Sequence, residues 1–486
     1  MTRLTDIAKH VTEPDPADLL YIVDVSDLSD GPSGSSGFTT PADLLRNTPL
    51  CYATRAEAEA AQVPAGAAHI FVGTLAYRED PAGTALTTAD GRNWSPDGRV
   101  TYEHWGAVGD GVTDDSDAII ACHRWCLFNR ATCEPIGATY AVTKRILTYD
   151  VAADGPGLEF HLRGAGKGQT VFRIAGHISD SLFYITGDTS APNRSRAINW
   201  SFSDFQVVSD GLVDADVFRI DIATSIEFHD VGIYNCRGTA LRARELWDSQ
   251  IEISVVECGD DGTGTGPGTR NKYAIEIDNY FGSSAPDLGS NNLDFTPRFQ
   301  VEASRYIQVY LGRYTKQVMF SGKFHGRLNG TLALPHVLMD GAYRNMFYGC
   351  VFTVCADVCI RTTDASGTVP FNNSFIGNHF DSTGPACIEL NAAQRNVVVG
   401  NVMINATAGV HLVSGSNGNV IHSNVIMNGG EEYRIDTLTA MDPLQVPRSI
   451  EITGKGSSLV LTDANGTPRT LTVGTDGRLR VDGIPV

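Results

Sequence analysis

No apolar run in this chain approaches the about 20 residues that a bilayer-spanning helix requires. The N-terminus carries no apolar signal core, which argues against Sec export. Positive charge is scarce: 37 Lys and Arg stand against 56 Asp and Glu, a formal net charge of −19. Such a surface disfavours a nucleic-acid partner and an anionic membrane, and it keeps a soluble particle from sticking to others. Closely paired cysteines are missing as well. The ten cysteines include no CxxC pair, and Cys122, Cys126 and Cys133 are too loosely spaced for a familiar zinc pattern. Cys236, Cys258, Cys350 and Cys387 fall in or beside candidate strands and read as reduced core residues, as expected after assembly in a cytoplasm. Neither a metal nor a cofactor is expected.

What the chain does have is a repeat. Asn345-Met-Phe-Tyr-Gly-Cys350, Asn373-Ser-Phe-Ile-Gly-Asn378, Asn396-Val-Val-Val-Gly-Asn401 and Asn419-Val-Ile-His-Ser-Asn424 share one register, with the first Asn recurring after 28, 23 and 23 residues. A period in the low twenties, made of short β-rich runs broken by Asn and Gly, marks a solenoid. Runs such as Val397-Val398-Val399 are too short for helices. Asn and Gly tolerate the left-handed backbone that sharp corners need. Stacked in register at about 4.8 Å, Asn378, Asn401 and Asn424 would form an amide ladder, with Cys350 capping it.

Upstream, Ile226-Glu227-Phe228, Ile251-Glu252-Ile253, Ile275-Glu276-Ile277 and Val301-Glu302-Ala303 recur after 25, 24 and 26 residues. Alternation along a strand turns each apolar pair inward and each Glu outward. If one triplet corresponds to one coil, the four carboxylates form a single outer row.

Other segments suggest smaller modules. Asp18–Val25 reads as a strand, Asp30–Gly37 as a turn, and Thr39–Leu45 as the start of a helix. Thr54-Arg-Ala-Glu57 is a capping box opening a helix to about Gln62, which Val63-Pro64 ends. A hairpin is expected at Asp90-Gly91. Leu459–Gly466 and Arg469–Gly477 read as tight hairpins with Asn-Gly and Asp-Gly turns. Such a small sheet leaves apolar edges that copies of itself would cover.

Trp105-Gly-Ala-Val-Gly-Asp-Gly-Val-Thr-Asp-Asp-Ser-Asp-Ala-Ile119 is the most distinctive string. Gly109 and Gly111 permit a tight turn, and Asp114 or Asp115 can cap a helix over 116–129. Capping and loop folding account for Asp110, Asp114, Asp115 and Asp117; a calcium site is the alternative. The string resembles the entry to the pectate-lyase-like right-handed parallel β-helix, as in phage tailspikes and polygalacturonase relatives, where a helix caps the solenoid. Residues 1–48 resemble a virion anchor and 49–100 the linker that follows it. Head spikes of gene transfer agents are similar in layout.

The resemblance implies an all-β chain: anchor 1–48, linker 49–100, parallel β-helix 101–435 with capping helix 116–129, and a β-hairpin trimerisation or tip module 445–486. It implies a homotrimeric virion spike, made in the bacterial cytoplasm and acting outside it. The spike would bind a capsule or other surface polysaccharide, and residues 1–48 would meet a capsid or tail protein. Depolymerase activity is the alternative, as glycoside hydrolase before lyase; a secreted polysaccharide lyase is a third reading. Trp200, Trp247, Tyr280, Tyr306 and Tyr310 are candidate sugar platforms. Glu252, Glu276 and Glu302 are candidate catalytic acids, with Asp248, Glu257 and Asp278 as substitutes. Arg244, Arg305 and Arg313 could instead neutralise the row. The Asn-Thr-Asp and paired-Asp motifs of polygalacturonases have no convincing counterpart.

Overall fold

The computed structural model describes residues 50–429 apart from 179, 191, 193–194, 212–214, 263–270, 283–287, 296–297, 327–333 and 414. Outside that span only the backbone of short strands is described. Among these, Leu20–Asp24 pairs antiparallel with Ser35–Thr39. The expected strand at 18–25 is therefore present, but Ser35–Gly37 is strand rather than turn, and most of the helix expected from Thr39 lies outside the described residues. Near the C-terminus, Ser458–Thr462, Pro468–Val473, Leu479–Val481 and Ile484–Pro485 form one antiparallel sheet. The Asn-Gly and Asp-Gly turns between them lie outside the described residues.

The chain divides into two compact units: 1–108 with 117–135, and 109–116 with 136–486. In the first, strands Leu50–Tyr52, His69–Val72, Leu75–Glu79, Asn93–Pro96 and Leu86–Thr87 form a five-stranded sheet. Tyr77, Leu86 and Trp94 fill its core. The capping box is present. Thr54 Oγ1 accepts from Glu57 N at 3.2 Å, and Glu57 Oε2 accepts from Ala53 N at 2.8 Å. That helix covers only Arg55–Glu59, shorter than the sequence suggested. The helix Ser116–Asn129 has the expected bounds. At its start, Asp114 Oδ1 accepts from Ser116 N at 3.1 Å, while Asp115 Oδ2 accepts from Gly109 N at 3.2 Å.

The second unit is a right-handed parallel β-helix. Its coils carry three faces. The first sheet runs through Ser181–Thr186, Ile275–Asp278, Val309–Leu311, Val337–Asp340, Ile360–Thr363 and Ala386–Leu390. The second runs through Asn291–Phe295, Lys316–Phe320, Met346–Tyr348, Ser374–Ile376 and Val397–Val399. The third runs through Gln300–Glu302, Lys323–His325, Val351–Cys355, His379–Ser382 and Val402–Ile404. The long strands Asp216–Tyr234 and Leu241–Val256 bend through all three faces.

Side chains stack because the coils are in register. Phe295, Phe320 and Phe347 lie ring over ring at 4.5 and 4.8 Å, and Phe324, Phe352 and Phe380 at 4.4 and 4.8 Å. At the corners the asparagines form two buried ladders. Asn345, Asn373, Asn396 and Asn419 are linked amide to amide at 3.2, 3.1 and 2.9 Å. Asn378, Asn401 and Asn424 are linked at 3.0 and 2.9 Å. Each side-chain oxygen also accepts the backbone N–H of the residue above, and Cys350 N closes the second ladder on Asn378 Oδ1 at 2.8 Å. Buried amides are thereby satisfied without water.

Candidate functional site

The glutamate row does not exist. Alternation holds, since Glu227, Glu252, Glu276 and Glu302 each sit between inward neighbours and reach solvent. Their columns differ. Glu227 aligns with Ser201 and Gln250 on the second sheet. Glu252 sits at an irregularity between Ile251 and Ile253, beyond the second sheet. Glu276 lies on the first sheet, between Arg242 and Tyr310, and Glu302 on the third, between Val256 and His325. Coil length explains the error. Phe218 meets Leu241 after 23 residues, but Leu241 meets Ile275 after 34, and Val255 meets Val301 after 46. Segments inserted between strands carry a near-constant sequence spacing onto different faces.

The aromatics divide similarly. Trp200 is a core residue, 1% exposed, with its indole N–H on Leu158 O. Trp247 donates to Gly289 O, and the Arg196 guanidinium covers its ring at 3.5 Å, so it is held by its own chain. Tyr280, Tyr306 and Tyr310 gather at the first sheet. Tyr310 stacks on Tyr273 at 4.5 Å and 9°, and Tyr306 meets the same ring at 5.6 Å. Tyr280 lies under the Arg244 guanidinium at 4.7 Å. Tyr273 was not identifiable in the sequence; it precedes its strand after a long inserted segment and belongs to no triplet.

Beside this tyrosine cluster is an acidic group. Glu276 and Asp278 are two apart on one strand and share its outer face. On the Asp278 column, Asp221, Arg244, Asp278, Gly312 and Asp340 follow rung by rung. The buried Asp221 carboxylate takes Arg244 in a two-point contact, both at 2.7 Å. Gly312 is what opens the site. A Cβ there would lie 2.3 Å from Asp278 Oδ1 and 2.8 Å from Tyr310 Cε1. Asp340 is oriented by Ser366 N at 2.8 Å on Oδ1 and by the Tyr310 hydroxyl, which donates to Oδ2 at 3.4 Å.

Burial pushes the Asp278 carboxyl up to about 6; the Glu276 and Asp340 charges add to this, while the Asn279 N–H and Arg244 oppose it. Burial likewise pushes Tyr273 up to about 12 and raises Tyr310. The group therefore combines a carboxylic acid that keeps its proton in mildly acidic solution, a second fixed carboxylate two rungs away, and a stacked aromatic pair.

The remaining candidates stand apart. Glu252 pairs with His229 at 3.0 Å and Arg298 at 3.2 Å, beside a cleft of ≈ 310 Å³. Asp248 accepts from Asn292 Nδ2 at 2.6 Å. Arg305 donates to the carbonyl of Glu257 and to Asn235 Oδ1, and Arg313 lies 5.8 Å from the Tyr314 ring. Neither arginine makes a contact with the three candidate glutamates among those described.

The family described as a right-handed β-helix region matches residues 306–462. No curated protein matches the chain. Among solved structures, ORF18 of Geobacillus virus E2 is 20% identical, with a TM-score of 0.51, covering 83% of this chain and 74% of that one. PfbA, a surface adhesin of Streptococcus pneumoniae, is 13% identical over 77% of this chain and 99% of its own, at a TM-score of 0.43. Tailspike protein 3 of bacteriophage CBA120 is 14% identical over 93% and 89%, at 0.40. Strand register and the matched region together identify the chain as a right-handed parallel β-helix protein, similar in fold to the Geobacillus virus chain.

Proposed function

We propose that the chain is a spike of a phage or phage-like particle and that its β-helix binds bacterial surface polysaccharide on the first sheet. The supporting observation is the Tyr273–Tyr310 stack bordered by Tyr306, Glu276, Asp278 and Asp340. Aromatic faces hold the apolar faces of sugar rings, and carboxylates accept from hydroxyls. A parallel sheet repeats such positions at about 4.8 Å, which suits an extended chain of sugars. In this reading the trimer is the working assembly and residues 1–48 join it to a capsid or tail protein. The experiment is a microarray of purified bacterial capsular and O-antigen polysaccharides. The protein is expected to bind at least one, and Tyr273→Ala with Tyr310→Ala to abolish that signal. Retained binding in the double variant would place the interaction elsewhere.

A second reading, hydrolysis of the bound glycan, is favoured by the raised Asp278. Asp278 would protonate the leaving oxygen below about pH 6, and Asp340 would activate water from two rungs away. Two rungs are about 9.6 Å, near the upper limit of the range of about 6.5–9.5 Å for inversion. Glu276 would keep the Asp278 proton in place through its charge. A fall in polymer size that Asp278→Asn prevents, with binding retained, would support cleavage; unchanged polymer size would leave binding alone.

A further inference from the structure

Away from that site, one corner of the β-helix gathers sulfur and nitrogen. His336, Cys355 and Cys359 are all buried, and each offers a ligand atom within 4.8 Å of the others. His336 immediately precedes Val337–Asp340, and Cys359 immediately precedes Ile360–Thr363. Val337 pairs with Ile360, so His336 lies directly over Cys359. Cys355 ends a third-sheet strand and reaches the same corner from the other side. Val354, just before it, has φ 57, a left-handed conformation unusual for a β-branched residue. The ladder with the next coil shifts register there, and Cys355 turns inward.

Two features point to a ligand. His336 is 5% exposed, yet its Nδ1 is buried without a hydrogen-bond partner. A buried polar atom left unpaired is costly and calls for an explanation. Gly326 also makes room for the ring: a Cβ there would lie 2.9 Å from His336 Nε2. One rung further down the column, Cys387 is fully buried and accepts Cys359 N on its carbonyl at 3.0 Å. A fourth sulfur therefore lies about one strand spacing, ~4.8 Å along the stack, from Cys359.

We propose that His336, Cys355 and Cys359 bind a thiophilic closed-shell metal ion, Zn²⁺ by its preference for imidazole and thiolate, with Cys387 supplying the fourth position. Two thiolates separated by three residues and one histidine meet the ligand chemistry of a structural zinc site. Each cysteine loses its proton on binding, so loading releases protons and weakens in acid. No redox change is involved. The ion would staple three successive coils where the asparagine ladders are absent.

The test uses the full chain, purified reduced, loaded with Zn²⁺ and passed over a chelating resin. Zinc is then counted by mass spectrometry. Cys122, Cys126 and Cys133 form a second buried thiol cluster, so the readout is the difference between variants. Cys359→Ser is expected to lose one equivalent relative to the parent, and Cys126→Ser to leave that equivalent in place. If Cys359→Ser fails to fold, His336→Gln carries the test, because the amide fills similar space and lacks the imidazole donor. With Co²⁺ in place of Zn²⁺, the parent should show a thiolate-to-cobalt charge-transfer band that His336→Gln weakens or shifts. Equal zinc in parent and variants, or a Cys355–Cys359 disulfide in the reduced protein, would overturn the assignment.

Discussion

The coils after Val337 and the coils between Asp216 and His325 are built on the same stacking geometry but spend their residues differently. In the later coils the spacing is short and steady: Val337 meets Ile360, Ala386 meets Ala408, and Asn373 meets Asn396 after 22 or 23 residues. Their corners carry buried asparagine ladders and their interiors carry phenylalanine stacks. In the earlier coils the steps lengthen to 34–46 residues. There the columns hold ion pairs and unlike side chains: Asp221 on Arg244, then Asp278, then Gly312. Identical rungs satisfy one another. Unlike rungs leave charges, gaps and exposed rings, which are what a ligand can use.

The largest expected effect tests the ladder half. Asn396→Ala removes an amide that accepts from Asn373 N and Nδ2 and donates to Asn419. Loss of this buried network should cost about 3 kcal/mol, read as a lower urea midpoint. No change would mean that the ladder contributes nothing beyond backbone pairing.

In the other half, Asp278→Asn should stabilise the protein. The folded carboxyl sits at about 6, above its ordinary value. The folded state therefore holds its proton more tightly than the unfolded chain does. Its stabilising contribution is complete below about pH 4 and is lost as pH rises through 6. The amide escapes that loss, so the variant should gain about 1–2 kcal/mol at pH 7 and nothing at pH 3.5. An equal gain at both values would refute the raised Asp278.

A third variant, Gly312→Ala, sets a methyl against Asp278 and Tyr310. Glycan affinity should fall about tenfold, some 1.4 kcal/mol, with the urea midpoint of the ladder coils unchanged. The smallest effect belongs to Glu302→Gln, an outward residue on the third sheet. Stability should move by less than about 0.5 kcal/mol, and glycan binding should not change. A loss of binding there would move the site to the third sheet.

These differences also account for what the sequence disclosed. Asn378, Asn401 and Asn424 were readable as a ladder because nothing is inserted between their coils, so spacing along the chain equals spacing in space. The inward and outward alternation of the Glu triplets was readable for the same local reason. Their alignment was not, because the segments between Cys258 and Ile275 and between Asp278 and Asn291 change the coil length by amounts no local pattern encodes. Glu276 and Asp278 were visible as candidates, whereas Asp340, Tyr273 and Gly312 became partners only through register. The buried Trp200 looked like a platform because aromatic type alone does not say which side of a strand faces the core. Cys355 and Cys359 lie five and nine residues beyond Cys350, a spacing that alone does not mark a site; His336 joins them only through the coil above.

The most direct test of the central claim is the affinity of the intact protein for whichever arrayed polysaccharide it binds, measured beside Tyr273→Ala/Tyr310→Ala under identical salt and pH. The account predicts that the parent binds and the double variant loses at least tenfold, about 1.4 kcal/mol, with its urea midpoint within error of the parent. Equal affinity in the two proteins would contradict a sugar-binding first sheet.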